Sequence, residues 1–171
     1  MLNYNSVIKN EIKQESISVK EISPVIKINL RGKKREFLTN VGKNLNMILP
    51  TEANTSTTSD KLTAIWLSPD EWMIISNELA SKDTNKSDLY EMLFNSISKT
   101  NLGAVIDVTD QFVQLELKGE NVYEIFSAGS PFNFNEFKEK KGSTPQTVLN
   151  HVDVILHHKD ENNLNLFVRR S

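Results

Sequence analysis

Apolar and polar positions recur regularly enough along most of the chain to place its elements. In the stretch VIKINLRG at 25–32, Ile28 and Leu30 alternate with Lys27 and Asn29, the period of a half-buried strand, and Gly32 ends it. Phe37, Leu38, Val41 and Leu45 then follow the i, i+1, i+4, i+8 spacing that gathers side chains on one helical face, so a helix is expected over 35–46. Gly42 weakens that helix by about 1 kcal/mol relative to alanine, and Pro50 closes the segment. Upstream, ISVKEI at 17–22 alternates imperfectly and reads as an edge strand, while residues 1–16 show neither period and read as a flexible lead-in. TEANTSTTSDK at 51–61 is rich in turn formers and reads as a flexible loop.

The segment LTAIWLSPDEWMIIS at 62–76 predicts a hairpin, with Ser68-Pro69-Asp70-Glu71 as its turn. Simple pairing of Ser68 with Glu71 sets Leu67 opposite Trp72, Trp66 opposite Met73 and Ile65 opposite Ile74. One face then carries Ile65, Leu67, Trp72 and Ile74, the other Ala64, Trp66, Met73 and Ile75. Both faces are apolar, so the hairpin needs cover on both sides.

A second helix is expected over Ser87–Lys99 from Leu89, Met92, Leu93 and Ile97, followed by a strand in GAVIDVTD. QFVQLELKG reads as a strand, and 121–127 as a short helix with Val122, Ile125 and Phe126 inward. A long loop, an extended piece TVLNHVDVILHH broken near Asn150, and LNLFVRRS complete the chain. The order is β-α-β-β-α-β followed by β-α-β-β, and INLRG and LELKG open the two halves alike. A split βαβ unit repeated once explains both features, the second copy lacking its final helix. The expected fold class is α+β, with a single domain over 17–171 whose halves are about 24–109 and 111–171.

Composition narrows the chemistry. Twenty Lys and Arg against twenty-two Asp and Glu give a net charge of −2, which is not the basic footprint of a nucleic-acid binder. With no cysteine there is no disulfide, thiolate metal site or cysteine nucleophile, as suits a reducing compartment. No signal peptide or membrane-spanning run is legible, and a cytoplasmic protein is expected. Nucleophile-elbow, zincin, P-loop and dinucleotide signatures are absent.

His151 and His157 are six residues apart on one strand face, roughly 20 Å, too far to share a metal, and His157 and His158 point to opposite faces; all three read as surface or sheet-edge residues. Asp107, set among apolar neighbours, is either a carboxylate with a chemical task or the acceptor for the turn 107–110. Trp66 and Trp72 are either core or a stacking surface for a planar group. Only four arginines occur, and two of them, Arg169 and Arg170, form a cationic end suited to pairing with carboxylates.

WLSPDEWMII resembles the WLGPDEWLL-like hairpin of the gamma subunit of heterotetrameric sarcosine oxidase, and other landmarks follow in family order: LRG, DVTD before LELKG, AGSPFNF like a KGCPLDL-type loop, TVLNHVDVILHH and LFVRRS. The similarity runs over about 24–171. The chain departs from the pattern in its polar 51–61 loop and in lacking the amphipathic helix that usually follows VRRS. The resemblance implies two ferredoxin-like split βαβ units packed as in the folate-binding aminomethyltransferase fold. It also implies an accessory, non-catalytic subunit in an assembly that oxidatively demethylates sarcosine to glycine with methylene transfer to tetrahydrofolate. FAD, FMN, NAD, zinc and tetrahydrofolate would then belong to partner subunits, chiefly a folate-binding alpha subunit. A related N-methyl amino-acid dehydrogenase subunit, and a free-standing folate-binding module with Asp107 at the pterin, are the alternatives. Trp66, Met73, Arg169 and Arg170 are the candidate interface residues, and an exposed apolar patch on the hairpin is expected.

Overall fold

Backbone pairing in the computed structural model, which describes residues 5–22, 24–79, 88–137 and 140–171, sorts the strands into two antiparallel sheets. The chain opens with strands β1 (Ile12–Gln14) and β2 (Ile17–Glu21), then β3 (Val25–Arg31) and helix α1 (Arg35–Leu45). An edge strand β4 (Ser56–Thr58) precedes the hairpin of β5 (Leu62–Ser68) and β6 (Glu71–Leu79). Helix α2 (Asp88–Leu93) runs into a π-helical turn, Phe94–Ser98, closed by the Lys99 N–H donating to the Phe94 carbonyl at 3.0 Å. Strands β7 (Ala104–Asp107) and β8 (Phe112–Lys118), helices α3 (Val122–Gly129) and α4 (Phe134–Phe137), and strands β9 (Gln146–Leu149), β10 (Val152–Asp160) and β11 (Asn163–Arg169) follow.

The chain divides into two compact units, one of Pro24–Asp110 and one of Gln111–Ser171 with residues 5–22. The first holds the five-stranded sheet in the order β4-β5-β6-β3-β7, the second the six-stranded sheet β1-β2-β8-β11-β10-β9. In the first unit β3, β5, β6 and β7 stand in the order of a split βαββαβ unit, with α1 and α2 as its helices.

Register shows that the second unit repeats the first. Leu30 pairs Trp72 on one side and Val105 on the other; Leu117 pairs Leu164 and Val19. Ile28 pairs Ile74 and Asp107; Leu115 pairs Leu166 and Glu21. β8 therefore corresponds to β3, β11 to β6, β10 to β5 and β9 to β4. The place of β7 is filled in the second unit by β2, which comes from the N-terminal side of the chain. The LRG and LKG tripeptides occupy matching positions for a physical reason. The Gly32 N–H donates to the Asp70 carbonyl at 2.9 Å, and the Gly119 N–H to the Asn162 carbonyl at 3.0 Å, each tying a strand end to its hairpin turn. A Cβ at Gly32 would enter the Phe37 ring; Gly119 has φ +141°, and a Cβ there would meet the Ser16 carbonyl.

Each sheet buries one face under its helices. In the first unit Phe37, Val41 and Leu45 of α1 and Leu93 and Ile97 of the α2 segment pack on Ile28, Leu30, Ala64, Trp72, Ile74 and Val105. Asn46 ends α1 in the left-handed conformation at φ 48°, its N–H bonding the Gly42 carbonyl. In the second unit Val122, Tyr123 and Phe126 of α3 and Phe134 and Phe137 of α4 pack on Leu117, Val154, Leu156, Leu164 and Leu166.

Several expectations are corrected. Residues 12–14 form strand β1, not a patternless lead-in; all three side chains are exposed, so the backbone pairing with β2 holds them. The 51–61 loop contains β4, and the loop after α3 contains α4. Tyr123 and not Ile125 faces the core of α3, Ile125 being 51% exposed, and Met92 is 36% exposed. Residue 87, the expected start of the second helix, lies outside the described residues. The hairpin register also differs. Ser68 does pair Glu71, but Leu67 bulges out, so Trp66 pairs Trp72, Ile65 pairs Met73 and Ala64 pairs Ile74. The bulge shifts one strand by a residue, which puts both tryptophans on the same, helix-covered face.

Candidate subunit interface

Of the four candidate interface residues, Met73 is the one the structure withdraws. It is 0% exposed, as are Ala64, Ile65 and Ile74, and Trp72 and Ile75 are nearly so. The hairpin is thus covered on both faces over 64–65 and 72–75, and its described residues do not form the exposed apolar patch expected there. Trp66 sits half-buried beside the first unit's core. Arg169 and Arg170 are exposed at the end of β11; the Arg169 guanidinium lies 5.9 Å from the Phe112 ring centre, and Arg170 donates to the Asn5 carbonyl at 3.0 Å.

Asp107 is exposed and accepts the Thr109 N–H at 2.9 Å, so its carboxylate organises its own turn. Thr109 in turn accepts the buried Lys27 N–H at 3.0 Å, locking the end of β7 to β3. Asp70 crowns the hairpin turn. The Ser68 hydroxyl donates to it at 2.9 Å and, with Arg31 and Lys33 each at 3.6 Å, holds its carboxyl below the usual range.

The histidines depart from expectation. His151 is exposed, in the left-handed turn it makes with Asn150 between β9 and β10, but His157 and His158 are 6% and 3% exposed. They are buried because β10 is an inner strand of its sheet. His158 packs against the Tyr123 and Phe137 rings. His157 faces the other side opposite Asn165, and burial, with Lys159 and His158 adding, pushes its pKa down to about 4. Among the described residues no three His, Asp or Glu side chains gather as a metal site. An open groove of about 560 Å³ beside α1 is lined by apolar residues such as Leu38, Met47 and Leu49 and by the polar Thr39, Lys43 and Asn46.

The second unit carries an apolar surface that residue patterns did not single out. Ile17 and Val19 of β2, Leu115 of β8 and Val168 of β11 lie beside its core but are only half-buried. Their counterparts in the first unit are Val105 for Val19, Ile28 for Leu115 and Ser76 for Val168, exposed by 6%, 0% and 5%.

The sequence model of the sarcosine oxidase gamma subunit family (SoxG) matches residues 32–171, most of the chain and part of both units. This chain belongs to the sarcosine oxidase gamma subunit family. Among solved structures, it is similar to a chain of the heterotetrameric sarcosine oxidase from Corynebacterium sp. U-96 in complex with pyrrole 2-carboxylate. That likeness has a TM-score of 0.79 at 17% identity and covers 93% of this chain and 79% of the other. It is also similar to the glycine cleavage system aminomethyltransferase T of Bartonella henselae, with a TM-score of 0.60 at 17% identity, covering 90% of this chain and 42% of the enzyme. At these identities the likenesses establish the fold. No curated protein sequence matches.

Proposed function

We propose that this chain acts as the accessory, non-catalytic gamma subunit of a heterotetrameric sarcosine oxidase, an assembly that oxidatively demethylates sarcosine to glycine and passes the methylene group to tetrahydrofolate. The observation that carries the reading is the family match over 32–171. The geometry agrees with it: the strongest carboxylate candidate, Asp107, caps its own turn. FAD, FMN, NAD, zinc and tetrahydrofolate belong in this reading to larger cytoplasmic partner subunits, chiefly a folate-binding alpha subunit, and Arg169, Arg170 and the exposed part of Trp66 meet those partners. No described helix is long and apolar enough to cross a membrane.

The purified chain alone is expected to show no flavin absorbance and no sarcosine-dependent peroxide production. Stoichiometric flavin retained on the isolated chain would overturn its accessory role.

A further inference from the structure

Residues 5–8 run across the second sheet from one strand to another. The Ser6 hydroxyl and the Ile8 N–H donate to Glu21, at the end of β2, at 2.6 and 2.8 Å, and Arg170, just past β11, donates to the Asn5 carbonyl at 3.0 Å. β8 lies between those two strands, pairing Leu115 with Glu21 on one side and Phe112 with Arg169 on the other. Neighbouring strands sit about 4.8 Å apart, so β2 and β11 are separated by roughly 10 Å, which is the reach of three extended residues. The segment from Asn5 to Ile8 matches that span and crosses β8 at the level of Val113, which pairs Val168. Strand alternation sets Glu21 on the face of Ile17 and Val19, and Val113 and Val168 on the same face, the one that α3 and α4 cover farther along the sheet.

Burial differs sharply between the crossing segment and the strand it crosses. Val113 is 3% exposed, whereas Val7 is 63% exposed, Asn5 and Ser6 are exposed and Ile8 is half-buried. The segment therefore buries little apolar area of its own and is fastened by polar contacts at its two ends. Both donors at the Glu21 end converge on one carboxylate oxygen, so that single side chain holds the end down. A segment held in this way opens far more readily than a strand inside a sheet. We propose that residues 5–8 form a strap, latched by Glu21, that opens while the second sheet stays folded and so controls access to Val113 and Val168. Strap opening belongs to this chain's own conformation and stands whether or not the chain acts as a subunit.

Because the chain has no cysteine, a single introduced thiol reports on access to one position. In the full chain, Val113→Cys is expected to react slowly with a water-soluble disulfide reagent, and at least tenfold faster when Glu21→Ala is added. Leu156→Cys, at a position 0% exposed in the same unit, is expected to react at one slow rate with and without Glu21→Ala. Equal rates at position 113 with and without the latch overturn the strap, and so does a parallel acceleration at position 156, which would show the whole unit opening. If a substituted chain does not fold, hydrogen exchange of the parent decides. The Ile8 N–H is expected to exchange through an opening that added denaturant does not change, while the amides of 164–167 exchange through a denaturant-sensitive one. Exchange of Ile8 in step with 164–167 overturns the strap.

Discussion

Trp72 packs against the Phe37 ring at 5.8 Å between centroids and donates its indole N–H to the Pro50 carbonyl at 2.8 Å, joining sheet, helix and the loop after α1. With 3% of its surface exposed, Trp72→Ala leaves a large cavity and an unpaired buried carbonyl, expected to cost about 3–5 kcal/mol. For a chain of this size that lowers the melting temperature by roughly 10 °C. Trp66→Ala, on the same face but half-buried, is expected to cost about half as much. Equal losses at the two positions, or none at Trp72, would contradict this packing. His157 gives a second residue-scale expectation. Its folded pKa of about 4 lies below the ordinary imidazole value of 6.5, so the unfolded chain binds its proton first as the solution is acidified. The stability this group contributes is complete above pH 6.5 and is lost as pH falls through 4, a difference of about 3 kcal/mol. Melting temperatures between pH 6.5 and about 5, above most carboxylate titration, are expected to fall for the parent and to stay nearly level for His157→Gln. A parallel fall in both would exclude His157 as the cause.

At the scale of elements, β2 completes the second sheet from the wrong end of the chain. Its pairing with β8 makes β8 an inner strand, and β8 in turn supports β11. Deleting residues 1–22 is therefore expected to strip hydrogen-exchange protection from 113–117 while leaving 72–76 protected; unchanged protection at 113–117 would show that β2 is dispensable. Much of this architecture was legible beforehand. INLRG and LELKG exposed the duplication because each glycine has a steric reason to be there, and the hairpin turn was set by Ser68-Pro69-Asp70-Glu71. Two features were not. The bulge at Leu67 leaves no mark on the apolar run Ala64–Leu67, so local alternation puts Trp66 on the wrong face and Met73 at the surface. The pairing of β2 with β8 spans about a hundred residues, and local alternation in ISVKEI says nothing of its partner. Burial of His157 and His158 followed from the same gap, since it depends on β10 being an inner strand.

At the scale of the whole molecule, neither net charge nor motif content points to a chemistry, and Asp107 organises its own turn. Ala64, Ile65, Trp72, Met73, Ile74 and Ile75 of the hairpin belong to the chain's own interior. That the chain functions as a gamma subunit is tested most directly by sedimentation of the co-expressed complex, following protein and flavin absorbance together. The account predicts that this chain migrates with the flavin-bearing subunits in fixed stoichiometry and that the complex, not the isolated chain, oxidises sarcosine. A chain that sediments alone, apart from flavin, when all the subunits are present would contradict it.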